Sequence, residues 1–452
     1  MKSSTGSLSF PVTQALSFSV TPGGSLQGRL QVPGDKSISH RAVILGAIAM
    51  GDTEIIGFLE GEDTLATVAA FRAMGVPIET LSVGRIRVYG VGLRGLSAPH
   101  GPLYLGNSGT SMRLLAGLLA GQSFSTELIG DASLSRRPMG RVAEPLRVMG
   151  AKVTTSNTGT PPVWIRGGCA LSGIDYRMPM ASAQVKSALL LAGLFAKGET
   201  CVEEPAPTRD HTERMLSRFG YRLSRTHKRV CITGQGVLQG GQVIVPGDIS
   251  SAAFFLVGAT IAEGSDLILE NVGINPTRIG VLSILRMMGA DITLSNERMA
   301  GDEPMADIRV RAHPLTGIKI PAEMVPLAID EFPALFVAAA FAKGKTIVTG
   351  ATELRAKESD RIAVMAAGLR TLGIETETAP DGITIYGGKP TGGRIESHGD
   401  HRVAMAFAMA GLGSSGMIVI EDCENVTTSF PGFEDFAARM GLRIVAHGGG
   451  IQ

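Results

Sequence analysis

The chain has 452 residues, with 42 Lys and Arg against 41 Asp and Glu and a formal net charge of +1. That length exceeds one ordinary domain and sets an expectation of two, each of about 200 residues. The balanced charge argues against a general nucleic-acid binder, which would carry a basic excess, and the longest apolar runs, near 183–196 and 333–342, fall short of the roughly 20 residues needed to span a bilayer.

Residues 1–20 are rich in Ser and carry neither the apolar core of a secretory signal nor the Arg-rich pattern of a transit peptide, so they read as a frayed tail. The four cysteines, Cys169, Cys201, Cys231 and Cys423, are scattered without paired spacing. That pattern fits a reducing, cytoplasmic setting and offers no zinc or redox motif. The eight histidines form no ligand pair of the HxH or HExxH kind, so no metal site is expected.

From Val32 onward one pattern returns six times at a spacing of about 70 residues: a polar lead, an apolar helix, a strand, a second helix, then Gly. The closing glycines are Gly75, Gly150, Gly220, Gly289, Gly373 and Gly441. A fixed period means one supersecondary unit copied. In the first copy, residues 41–50 read as a buried helix and Thr53–Ile56 as a strand. Asp63 and Thr64 read as the cap of a second helix over 65–74, with strands at 76–80 and 86–89. Such units favour sheets outside and helices inside.

The strings Val32-Pro-Gly-Asp35 and Val245-Pro-Gly-Asp248 are near-duplicates, and Pro-Gly is turn punctuation. They are read as two crossings, near 32–36 and 245–249, between a domain of residues 36–246 and a second of 1–35 with 247–452. Each domain then holds three copies, and two crossings make a hinge.

The polar leads carry the chemistry. They are Gly34-Asp-Lys-Ser-Ile-Ser-His-Arg41, Gly106-Asn-Ser-Gly-Thr110 running on to Arg113, Met180-Ala-Ser-Ala-Gln184, Pro246-Gly-Asp-Ile-Ser250, Ile329-Asp-Glu331 and Gly399-Asp-His-Arg402. A helix start presents free N–H groups and about half a positive charge, so several aimed at one cleft make an anion site. Lys36, Arg41, Arg113 and Arg402 lie in the leads. Arg136, Arg137, Arg209, Lys357 and Arg361 lie at the starts of second helices. Any one such Arg alone is more often a solvated side chain, and a Ser there more often a cap. Repetition at equivalent places points to a small, multiply charged anionic substrate. Neither a GxxxxGK[ST] loop nor GxGxxG after a strand is present, which lowers the weight of ATP- and NAD-dependent classes.

These strings, together with Arg137-Pro-Met139, Arg355-Ala-Lys-Glu-Ser-Asp-Arg361 and Ser429-Phe-Pro431, resemble the 5-enolpyruvylshikimate-3-phosphate synthase family over about residues 25–445. The resemblance implies an inside-out α/β barrel of two domains with six βαβαββ units, three in each. It implies transfer of an enolpyruvyl group from phosphoenolpyruvate to the 5-hydroxyl of shikimate 3-phosphate by addition and elimination, with no metal or organic cofactor. A cytoplasmic monomer with these two small-molecule partners is expected.

Matched position by position, Lys36, Asp330 and Glu358 resemble the proton-handling residues. Ser37, Arg41, Ser182, Ala183, Gln184, Arg209 and Lys357 resemble the shikimate 3-phosphate site. Arg137, Arg361 and Arg402 resemble the phosphoenolpyruvate clamp, with Asn107, Gly109 and Thr110 beside it. Two departures stand out: Ala183 where many members have Ser, and Thr427-Thr428-Ser429 where many have a Lys. Both fit a second sequence class of the family. Gly109 is the small residue whose replacement by Ala is associated in the family with glyphosate tolerance. The sister family acting on UDP-N-acetylglucosamine typically has a Cys in its second copy, and this chain has none before Cys169. A non-catalytic anion-binding scaffold is the remaining alternative; it predicts loss of Lys36, Asp330, Glu358 or the Arg clamp, and all are present. The opposed cations are expected to hold the cleft open until dianionic ligands close it.

Overall fold

The computed structural model describes residues 15–226 and 228–448. Six apolar helices form the inner layer: α1 (Lys36–Ile48), α2 (Gly109–Leu119), α3 (Ala183–Gly193), α4 (Ile249–Ile261), α5 (Phe332–Phe341) and α6 (His401–Ala410). Nearly every residue in them is buried, as a helix apolar on all sides requires. One residue of each lead sits at the helix N-cap. In five of the six that residue's side chain takes a helix N–H: Asp35, Ser108, Ser182, Asp248 and Asp400. The cap moves the start of α1 from the expected Arg41 to Lys36, because Asp35 Oδ1 accepts from Ile38 N at 2.8 Å. The chemistry-bearing lead is therefore the helix's own first turn. Between α2 and α3 the backbones touch: a Cβ on Gly117 would lie 2.1 Å from the Ala188 carbonyl oxygen.

Among the described residues six sheets lie outside, five of four strands and one of three. In the first, Gln242–Ile244 runs parallel to Met50–Ile56, which pairs antiparallel with Arg85–Val91, itself antiparallel to Ile78–Ser82. A strand from the end of the third copy thus closes the sheet of the first. Buried apolar side chains form two clusters, one drawn from 38–245 and the other from 18–32 with 249–442. Between the clusters the two Pro-Gly strings bond to each other. Asp35 N donates to the Pro246 carbonyl at 2.8 Å, and Asp248 N to the Pro33 carbonyl at 2.9 Å.

Two expectations need correction. Ser17–Val20 is an inner strand, antiparallel to both Ile418–Glu421 and Ile444–His447. Phe18 and Val20 are fully buried there, so a tail extending to residue 20 is excluded. The remainder of that expectation, residues 1–14, lies outside the described residues. Cys201 and Cys231 stand directly opposite each other on antiparallel strands, 4.0 Å apart at Cα, and form a disulfide. Their sequence separation of 30 concealed a pairing that only strand register brings about.

Candidate active site

A cavity of about 470 Å³ opens between the two clusters, and residues at the starts of all six inner helices reach it. Of the expected residues, Lys36, Ser37, Asn107, Gly109, Thr110, Arg137, Ser182, Ala183, Gln184, Arg209, Asp330, Lys357, Glu358 and Arg402 line it. Arg41 and Arg361 do not. Arg41 is 2% exposed and lies behind the wall, donating to Thr212 Oγ1 at 2.7 Å, the Ser37 carbonyl at 3.0 Å, Gln184 Oε1 at 3.2 Å and Ser187 Oγ at 2.8 Å. Burial lowers its pKa to about 10. Arg361 is fully buried, donating to Asp400 at 2.8 Å and Glu358 at 2.6 Å. In this geometry both orient wall residues rather than face the cavity. Arg136 is exposed and outside the lining.

The lining holds eight Lys and Arg side chains against five Asp and Glu. The cations are not simply opposed, as the sequence reading expected, because carboxylates from one half meet cations of the other. Arg209 pairs with Asp330, Arg137 Nη1 lies 3.6 Å from Glu358, and Arg141 Nη1 lies 3.3 Å from Glu353. Lys357 Nζ reaches Asp330 at 3.0 Å, and Arg402 Nη1 donates to the Asp330 carbonyl at 2.9 Å. Lys36 Nζ pairs with Asp63, a residue read from sequence only as a cap.

Burial acts to raise the pKa of both Asp330 and Glu358, but the surrounding cations win. Lys357, Arg209, Arg402 and Arg361 hold Asp330 well below the usual carboxylate range. Arg361 and Arg137 lead the same effect on Glu358. Burial, offset by Lys36, leaves Asp63 raised. His401 is lowered to about 3, by burial first and then by Lys36.

Gln184 donates to Thr110 Oγ1 at 2.9 Å, joining the leads of α3 and α2. Arg137 donates to Asn107, whose amide donates to Asp131 at 2.7 Å. Sequence reasoning missed Asp63, Arg141, Arg278 and Glu353 as lining residues. Asp63 stands at the start of a second helix, where five cations had already been noted, so its position was a usable signal. Arg141 and Arg278 stand at second-helix starts too and shared that signal, whereas Glu353 carried none.

The family model described as EPSP synthase (3-phosphoshikimate 1-carboxyvinyltransferase) matches residues 20–436. The 3-phosphoshikimate 1-carboxyvinyltransferase of Alkalilimnicola ehrlichii is 65% identical over 431 residues, covering 95% of this chain and 96% of that protein. That of Nitrosococcus oceani is 64% identical over 429 residues, covering 95% and 97%. The solved EPSP synthase of Acinetobacter baumannii superposes with a TM-score of 0.86 at 57% identity, covering 96% of this chain and 100% of that one. The chain belongs to the EPSP synthase family.

Proposed function

We infer that this enzyme transfers the enolpyruvyl group of phosphoenolpyruvate to the 5-hydroxyl of shikimate 3-phosphate and releases phosphate. It thereby serves the shikimate pathway of aromatic biosynthesis. The observation that carries the residue assignment is the cavity at which six helix starts and lining residues from both halves meet. Two polyanions need more positive charge than one wall offers, and closure of the two halves supplies it.

The roles follow from chemistry and place. Shikimate 3-phosphate lies across the first half. Its phosphate sits at the N-terminus of α3, against Ser182, Gln184 and the backbone of Ala183. Its carboxylate sits near Ser37 and Arg209. Phosphoenolpyruvate takes Arg137 and Arg402, with Asn107, Gly109 and Thr110 forming the adjacent wall, while Lys357, beside Asp330, reaches the shikimate ring. Arg41 and Arg361 hold these groups in place from behind.

Asp330 accepts the 5-hydroxyl proton as that oxygen attacks C2 of phosphoenolpyruvate. A proton is delivered to C3, giving a methyl group in a tetrahedral adduct. Elimination removes a C3 proton and expels phosphate. Glu358 serves C3 in both directions, and Lys36 stabilises the oxygen that gains charge.

Arriving phosphates compete with Asp330 and Glu358 for their cations. Each carboxylate then loses partners, and its pKa rises toward the range that proton transfer needs. Ala183 leaves one phosphate contact to the backbone, and Thr427 and Thr428 leave one cation fewer than many relatives carry. A monomer belongs to the same proposal. Among the described residues no helix is long and apolar enough to cross a membrane. A cytoplasmic setting belongs to the same proposal.

The test is phosphate release from phosphoenolpyruvate with shikimate 3-phosphate, with UDP-N-acetylglucosamine, and with no acceptor. Release with shikimate 3-phosphate alone is expected. Release only with the sugar nucleotide would leave the donor right and the acceptor wrong.

A further inference from the structure

Arg278 belongs to neither proton transfer nor the phosphate clamp assigned above, yet it is the most heavily paired cation near the hinge. It follows the strand Asp266–Gly273 and precedes the helix Gly280–Met287, and its side chain is 4% exposed. It donates to Asp35 Oδ2 at 2.9 Å, to Asp248 Oδ1 at 3.1 Å and to Ser250 Oγ at 2.8 Å, with Glu331 Oε1 at 3.8 Å. His211 Nε2 lies 3.5 Å away.

Three carboxylates thus converge on one guanidinium. Asp35 and Asp248 are the N-caps of α1 and α4, at the two crossings between the halves. The caps are also interleaved, since Lys36 N donates to Asp248 Oδ2 at 3.3 Å. Glu331 follows Asp330 directly and is held by Ser250. One buried cation therefore ties the start of the Lys36 helix, the second crossing and the Asp330 segment. Without it three carboxylates would be buried together with like charge, which is strongly unfavourable. The rigid planar fork holds two carboxylates in a fixed mutual geometry, which the flexible Lys ammonium does not impose.

We propose that Arg278 is a positioning residue for the reaction: it pins the two crossings together and thereby sets Lys36 against Asp330 across the cleft. The proposal rests on the reaction assigned above. Small displacements of reacting groups cost rate far more than affinity, and about 1 Å can cost on the order of 10²-fold.

The experiment compares Arg278→Ala and Arg278→Lys with the unaltered enzyme in three readouts. In steady-state phosphate release, Arg278→Ala should lose about 10²-fold in kcat, with KM for either substrate changed less than about threefold. Added guanidinium at millimolar concentration should restore a measurable part of that loss. Arg278→Lys keeps the charge without the fork and should lose about tenfold in kcat. In small-angle scattering without substrates, Arg278→Ala should show a larger radius of gyration.

Folded variants with unchanged kcat, or a loss confined to KM with no rescue by guanidinium, would overturn the proposal. If Arg278→Ala does not fold, Arg278→Lys decides by its kcat. A silent unaltered enzyme would instead sink the assigned reaction, and the scattering comparison would still test the pin.

Discussion

Replacing Asp330 by Asn removes a charge while keeping the shape, and the site makes its two consequences separable. Asp330 is 14% exposed at its side chain and pairs with Arg209, Lys357 and, at 3.6 Å, Arg361. The first consequence is loss of the base for the 5-hydroxyl. A positioned general base contributes about 10²–10⁴-fold, so kcat should fall about 10³-fold, or about 4 kcal/mol in the barrier. The second has the opposite sense. Arg209 and Lys357 lose an internal partner and become free to take substrate anions. A hydrogen bond to a charged group is worth about 1.5–3 kcal/mol, so shikimate 3-phosphate should bind on the order of tenfold more tightly. Titration calorimetry and saturating phosphate-release kinetics on the same preparation measure both. A kcat within about threefold of the unaltered enzyme, or affinity falling along with kcat, would refute the reasoning.

Deleting residues 1–20 removes the inner strand Ser17–Val20 with fully buried Phe18 and Val20. A loss of about 3–6 kcal/mol in denaturant unfolding is expected, whereas unchanged stability would return that strand to a tail. A Cβ on Gly109 would lie 2.9 Å from Arg113 Nη1 and 3.2 Å from Arg137 Nη1, both flexible side-chain ends. Gly109→Ala should therefore fold normally, raise KM for phosphoenolpyruvate about tenfold and weaken inhibition by glyphosate; an unchanged KM would contradict this. Stability should fall as pH drops from about 6.5 toward about 3, because His401 is held at about 3 in the fold against 6.5 when exposed. Unfolding therefore takes up protons across that window. Asp330, Glu358 and Asp400, all lowered, act in the same direction once their ordinary range is reached. A melting temperature flat between about pH 7 and 4 would count against it.

The six-fold period was legible because each copy repeats local chemistry: an acid or hydroxyl cap, an apolar helix, a closing Gly. The leads therefore located much of the cavity wall, including Lys36 and Asp330, and the motif at a second-helix start supplied Glu358. The period did not reveal which strands complete which sheets. Ser17–Val20 serves the last copy and Gln242–Ile244 the first, so each pairing spans the length of a domain or more and leaves no local trace. The Cys201–Cys231 pair was hidden for the same reason, since it depends on register. Arg41 and Arg361 were matched by motif, but motif does not distinguish a side chain in the wall from one behind it. Arg278 lies outside every lead, and only the meeting of two crossings makes it significant.

In the proposed mechanism C3 of phosphoenolpyruvate gains and loses a proton at Glu358, in a cleft completed by both halves. The most direct measurement runs the reaction in deuterium oxide and follows deuterium in the product methylene by mass spectrometry, for the unaltered enzyme and for Glu358→Gln. Ready incorporation by the first is expected, with incorporation slowed at least about 10²-fold in the second. Product formed without deuterium, or Glu358→Gln exchanging at the unaltered rate, would contradict it.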